Sequence, residues 1–314
     1  MSLQKTKMKN KNYLAIGSAL GAAFFWSFSF IWFKVAFTGY KPLTIVIFRL
    51  AIAAGLITLI AALLKRLQKP SRKDLRLFFL MAFFEPFIYF LGESYGLMYV
   101  SPTVAAVIVA TIPLFSPLAA RHFHGEKIKW MNILGLMLSF VGVGFVVLNG
   151  SFQLNASPLG VGLEFIAVVA AIAYTIVLKN LASRYNTLSI IAYQNIIGVM
   201  FFLPIWLFVD FKTLINTPFH PEAFRAIVLL AIFSSTLAFV FFTQSIRQIG
   251  ITRSNTFINL IPVFVAVLSF FILKEELGTR KIIGIVIVVT GLFLAQIKKR
   301  SKPGKKEVIE IHRK

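Results

Sequence analysis

The sequence predicts an all-α polytopic membrane protein: ten transmembrane helices arranged as two inverted five-helix repeats, with both termini cytoplasmic. Three observations carry this prediction. Of 314 residues, 58% are hydrophobic and only 14% charged, with 34 Phe and a mean hydropathy of +0.82; soluble domains run nearer half apolar and about a quarter charged. The apolar residues fall in continuous runs of about 20, the length that a hydrocarbon core of about 30 Å requires of a helix. The second half of the chain also repeats the first. A β-barrel is excluded because the runs are continuous, not alternating strands of about ten residues.

The first span, 13–33, carries no charge. Its leader, 1–12, holds Lys5, Lys7, Lys9 and Lys11 and resembles a signal-peptide n-region. The apolar run is too long for a signal and lacks a small-residue cleavage site, so it is expected to stay as a helix. Further spans are expected at 42–64, 74–98, 102–121, 129–148, 158–179, 187–209, 223–246, 252–273 and 280–297. Turn-forming sequences separate them, among them LQKPSRKD (67–74), NGSFQLNASP (149–158) and NTPFHPE (216–222). A basic tail, 298–314, closes the chain.

The net charge of +22, taken alone, fits a nucleic-acid or anionic-lipid partner. Beside the apolar content it reads as cations placed in loops, and no nucleic-acid partner is expected. With the N-terminus inside, the leader, the tail and the turns near 65–76, 121–129, 179–184 and 247–253 hold 25 of the 33 Lys and Arg, the positive-inside pattern. Leader and tail are expected to contact anionic headgroups of membrane lipids. The absence of Cys excludes a disulfide framework, a thiolate metal site and a Cys nucleophile.

Self-similarity gives the organisation. A shift of 149 residues lays Pro113 on Pro262, Phe115 on Phe264, Glu126 on Glu275, Ile133 on Ile282, Gly135 on Gly284 and Gly142 on Gly291. Earlier in each half a shift of 145 lays Lys34 on Lys179, Leu43 on Leu188 and Ile45 on Ile190. Five helices per copy is an odd number, so the second copy enters the membrane from the opposite side. Many secondary transporters alternate access to a midplane site on this arrangement.

The segments TIPLFSPLAARHFHGEKIKWMNILGLMLSFVGV (111–143) and LIPVFVAVLSFFILKEELGTRKIIGIVIVVTG (260–291) share a proline, a Glu some thirteen residues later and a glycine-spaced helix. With GAAFFWSFSFIWFK (21–34) as a first helix, the chain resembles the ten-helix EamA-type branch of the drug/metabolite transporter superfamily over about 13–297. The resemblance implies an EamA-like repeat at 13–148 and another at 158–297. It further implies a permease or exporter of the bacterial inner membrane that moves a small polar metabolite, such as an amino acid or related compound, with no cofactor. One departure is Ala171 where the first repeat has Trp26, so a symmetric aromatic lining is not expected. Two other classes stay open: a lipid-carrier flippase and a membrane-embedded enzyme. Against the enzyme, the sequence holds no Gly-rich phosphate loop, HExxH or GxSxG, and His122, His124, His220 and His312 all fall in loops or the tail. Without an ATP-binding segment, active transport would draw on an ion gradient or on exchange.

Ionisable groups at bilayer depth are candidates by default. In EPFIYFLGESYGL (85–97), helical spacing puts Glu85, Tyr89, Gly92 and Gly96 on one face, with Glu93 at its edge. Glu85 is expected to bind a cationic group or a coupling proton, or else to pair with Arg49; Pro86 weakens the helix beside it. The two glycines suit a cavity wall or close helix packing. In the first span Ala22, Trp26, Ser29 and Phe33 share a face, and the 145 shift maps them to Ala167, Ala171, Tyr174 and Leu178, with Glu164 one turn earlier. Trp26, Ser29, Tyr174 and Glu164 are therefore expected to line the site. Asn255 and Asn259, near Pro262, offer amide donors and acceptors to a polar ligand, or hold helices together. Gln194, Asn195 and Gln244 are weaker candidates of the same kind. Arg49 is expected to snorkel or to form a structural pair, Lys34 and Lys179 to reach the interface, and Glu126 and Glu275 to anchor turns.

Overall fold

The computed structural model describes residues 2–116, 119, 130–147 and 156–296, and among them no strand occurs. The principal helices are α1 (Ser2–Ala36), α2 (Pro42–Leu63), α3 (Arg72–Tyr99), α4 (Pro102–Ser116), α5 (Trp130–Val147), α6 (Pro158–Ala182), α7 (Thr187–Val209), α8 (Pro221–Ile249), α9 (Phe257–Leu273) and α10 (Thr279–Gln296). Six described helices are long and apolar enough to cross a membrane: α2, α3, α6, α7, α8 and the Tyr13–Ala36 part of α1. The first helix runs on through the basic leader. Glu126, His122 and His124 lie outside the described residues, as does the tail.

Local chemistry sets the helix starts. Proline at the first helical position opens α2, α4, α6 and α8, where its missing N–H costs nothing. Ser71, Ser101 and Asn186 cap α3, α4 and α7, accepting from the backbone N–H of Asp74, Val104 and Ser189. At the end of α8 Gly250 takes φ 83°, a conformation that side chains rarely adopt.

The helices pack in reciprocal pairs: α5 with α10, α2 with α7, α4 with α9, and then α1 with α8 and α3 with α6. The turns form two sets at opposite ends. At one end Asn186 donates to Gln68 Oε1 and Arg66 O, each at 2.6 Å. There Asp74 also accepts from Arg184 and Tyr185, and Arg247 donates to Tyr185 O. At the other end Asp210 accepts from Thr44 N at 3.2 Å. Glu275 there accepts from Ser101 Oγ at 2.7 Å and Thr103 Oγ1 at 3.0 Å and pairs with Lys281, the turn anchor the sequence suggests.

The outside is apolar, and the polar groups at depth sit inside among apolar packing. Phe208 is 89% exposed and Val169 67%, while Arg49, Glu85, Glu93, Glu164, Gln194, Asn195, Asn255 and Asn259 are all buried. A bilayer selects this inversion, because polar groups at depth must find partners within the protein. Glycines let the pairs close up: a Cβ on Gly142 would lie 2.7 Å from Val288 N, and one on Gly284 would lie 2.8 Å from Gly142 O.

Two long helices are interrupted. In α3 the stretch Phe83–Ile88 is π-helical, Glu85 is extended (φ −145°, ψ 114°) and the Glu85–Pro86 peptide is cis. In α8 the stretch Leu230–Ala238 is π-helical. The 149 shift lays residues 83–88 on 232–237, so the interruptions fall at matching places.

Candidate substrate site

A buried cavity lies among α1, α2, α3, α4, α6, α8 and α9. Its polar lining comprises Trp26, Ser29, Arg49, Glu85, Tyr89, Glu93, Tyr174 and Thr175. Apolar walls come from Phe30, Phe90, Val109, Ile112, Ala171, Phe239, Phe242, Ile258 and Ile261. The cavity is about 40 Å³, space for a few water-sized molecules and far below the roughly 300 Å³ at which ligand pockets begin. In this conformation it is contracted, and a metabolite enters only if helices part.

The broken part of α3 supplies Glu85. Pro86 N has no proton to give to the helical ladder, and the extended backbone at Glu85 turns the chain out of the helical path. Among the described residues no hydrogen bond or ion pair engages the Glu85 carboxylate. One turn on, Tyr89 Oη donates to Glu93 Oε1 at 3.3 Å. Glu93 Oε2 lies 3.9 Å from Arg49 Nη1, both side chains buried. That separation exceeds a hydrogen bond, so Coulombic attraction carries the pair. Arg49 Nε donates to Ser235 Oγ at 2.9 Å, and its guanidinium lies 4.1 Å from the Phe90 ring centroid and 5.1 Å from that of Phe33. Ser235 belongs to the π-helical stretch of α8, so that stretch and the helix beyond the break in α3 meet at Arg49.

Trp26 packs edge-on against Phe239 and Phe242, with centroids 5.2 and 4.8 Å away. Across the cavity Tyr174 Oη donates to Gln194 Oε1 at 3.1 Å. Ala171 stands where the other half has Trp26, so the lining is asymmetric.

Six of the nine sequence candidates meet here: Trp26, Ser29, Glu85, Tyr89, Glu93 and Tyr174. Three do not. Glu164 is fully buried but sits off the lining, against Gly96, whose Cβ position would lie 2.7 Å from Glu164 Oε1. Asn255 donates to Ser116 Oγ at 3.0 Å, which makes it interhelical glue. Asn259 is displaced because Thr256–Leu260 is a 3₁₀ turn; three residues per turn bring Ile258 and Ile261 to the cavity in its place. Arg49 corrects the snorkelling expectation, being 1% exposed and paired with Glu93, not Glu85. Lys34 likewise turns inward and donates to Leu97 O. The glycines of α3 serve packing: a Cβ on Gly92 would lie 2.6 Å from Leu163 O. Arg49 carried a usable signal in the sequence, as the one charge inside α2.

A helical, multi-pass membrane protein with a central polar cavity and interrupted helices beside it has the make-up of a transport protein. The chain matches the EamA-like transporter family over residues 13–148 and 158–296, and it belongs to that family, one of transporters and not of enzymes. It is 27% identical over 286 residues to an uncharacterized transporter of Archaeoglobus fulgidus, covering 88% of this chain and 96% of that one. It is 26% identical over 233 residues to the uncharacterized transporter YetK of Bacillus subtilis, covering 73% and 70%. A probable terminal-alkyne amino-acid exporter of Streptantibioticus cattleyicolor is 24% identical over 269 residues, covering 86% and 89%. A protein of known crystal structure superposes with a TM-score of 0.69 at 15% identity, covering 90% of this chain and 97% of that one, which shows a shared fold.

Proposed function

We propose that the protein is a secondary transporter of a small polar metabolite bearing a cationic group, an amino acid or a relative of one. It would act by alternating access in a bacterial inner (plasma) membrane. The observation that carries this reading is Glu85, an uncommitted carboxylate on a broken helix in a central cavity where the neighbouring Glu93 is already engaged by Arg49. A cationic substrate group or a coupling proton is the natural partner for such a carboxylate. The amino-acid exporter among the relatives supports the substrate class, and the relatives from Bacillus and Streptantibioticus support the bacterial membrane.

The mechanism rests on ten membrane spans in two inverted five-helix repeats, 13–148 and 158–297. Two observations support that reading. Exchanging the halves turns each helix pairing into itself or into another observed one, as a two-fold axis in the membrane plane requires: α1–α8 becomes α6–α3, and α2–α7 maps onto itself. The π-helical stretches of α3 and α8 also correspond, and helix irregularities at matching places in the two halves point to substrate sites in inverted-repeat transporters. Both termini are read as cytoplasmic, because the turns joined around Asp74, Arg184 and Arg247 hold most of the loop cations.

Glu85→Gln keeps the shape and removes the charge. Charged hydrogen bonds contribute about 1.5–3 kcal/mol, so uptake of labelled amino acids into proteoliposomes is expected to fall about ten- to a hundredfold in kcat/KM, with its pH dependence altered. An unchanged rate and pH profile would remove Glu85 from the mechanism.

A further inference from the structure

Among the described residues every buried carboxylate but one is bonded or faces the cavity. Glu93 is held by Tyr89 and Arg49, Asp74 by Ser71, Tyr185 and Arg184, and Asp210 by Thr44 N, while Glu85 faces the cavity. Glu164 is the exception. It is fully buried, and neither of its oxygens has a hydrogen-bond partner among the described residues. Buried polar atoms left without a partner are costly and call for an explanation. The neighbouring helix nonetheless makes room for the group: Gly96 of α3 lies against it, where a Cβ would come within 2.7 Å of Oε1 and 3.0 Å of Cδ.

Its position joins two sites. Glu164 and Ala171 stand two turns apart on α6, and Ala171 lines the cavity. Lys34 donates to Leu97 O, the residue after Gly96, and so approaches Glu164 from the α1 side. Lys34 and Glu275 bound an open pocket of about 470 Å³ between α1, the α3–α4 turn and α9. On the cavity side, Gly96, against which Glu164 lies, is one helical turn from Glu93 on α3. The groups around it are therefore Lys34 from α1 and Glu93 and Tyr89 from α3, with Arg49 of α2 behind Glu93. The other packed helices, α4, α7 and α8, present no charged group to it among the described residues.

We propose that Glu164 is the relay carboxylate of a proton path from the pocket beside Lys34 to the cavity carboxylates. A proton binds an Oε of Glu164 from the pocket side and leaves to a Glu93 oxygen; nothing is oxidised or reduced. Lys34 balances the carboxylate charge once the proton has gone. The proposal rests on the transport reading, in which the cavity carboxylates load and unload.

The test uses the proton itself as probe. Infrared difference spectra of the full-length protein in lipid, between mildly acid and alkaline buffer, are expected to show a carboxyl C=O band that disappears in Glu164→Gln. Lys34→Met and Glu93→Gln are each expected to keep that band and to move its titration midpoint by about one pH unit or more, since interacting sites titrate as coupled groups. Spectra of Glu164→Gln identical to wild type overturn the relay, and so does a midpoint that neither neighbouring variant moves. If Glu164→Gln does not yield monodisperse protein, Glu164→Asp must retain the band at a changed frequency; an unchanged band overturns the proposal. Amino-acid uptake by the wild type, measured alongside, separates the two readings. Transport without a Glu164 band contradicts the relay alone, and a Glu164 band without transport contradicts the transport reading alone.

Discussion

Arg49→Met is expected to destabilise the protein by about 3–5 kcal/mol, the loss seen when one partner of a buried ion pair is removed. The variant leaves the Glu93 carboxylate buried with only the Tyr89 hydroxyl, strips Ser235 of its donor, and takes the cation from between Phe33 and Phe90. Reversible unfolding in mixed micelles reads the change. A loss near 0.6 kcal/mol, the average for an interhelical hydrogen bond in a membrane protein, would mean that the charge pair adds nothing beyond an ordinary polar contact. The double variant Arg49→Met/Glu93→Gln decides the cause. Removing the stranded charge is expected to recover about 1–3 kcal/mol, within the range of coupling between contacting residues. Strict additivity of the two single losses would show that the pair is not coupled.

Gly92→Ala is expected to cost about 1–3 kcal/mol, the usual penalty for overpacking. The added methyl would meet Leu163 O at 2.6 Å and Ala167 N at 3.0 Å. Both are backbone atoms, so α3 and α6 must move apart because no side chain can yield. The same displacement shifts Glu93 and Tyr89 against Ala171 and Tyr174, and uptake is expected to fall with stability. Gly55→Ala is the matched control, because nothing lies within 4 Å of a Cβ there. It is expected to be neutral or stabilising by up to about 1 kcal/mol through helix propensity. Equal losses at the two positions would contradict the close α3–α6 contact.

Six of the expected spans are legible as long apolar helices because length and continuous hydropathy are what a bilayer demands, and proline and serine mark several of the helix starts. The cavity was partly legible for a related reason: charged and aromatic residues within apolar runs have little reason to be there unless they face a polar interior. Glu85, Tyr89, Trp26 and Tyr174 were found in that way. What stayed hidden depends on register between helices, which spacing along one helix does not contain. Arg49 reaches Glu93, not Glu85, and Glu164 turns to Gly96 and not to the cavity. Asn259 went astray for a different reason, because a 3₁₀ turn advances each residue by about 120° where an α-helix advances it by about 100°. The interruption at Leu230–Ala238 contains neither glycine nor proline, and only its correspondence with Phe83–Ile88 gives it meaning.

The central claim is that the cavity opens alternately to the two sides of the membrane, and the absence of cysteine makes that directly measurable. Ala171→Cys puts a single thiol on the cavity wall, at a residue 6% exposed in the contracted state. Membrane-impermeant thiosulfonate reagents are then applied from either side of oriented vesicles. The account predicts that the thiol reacts from each side, and that a bulky adduct made from one side abolishes exchange of solute across the membrane. Reaction from one side only, or from neither while an exposed cysteine at Lys212→Cys reacts normally, would contradict it.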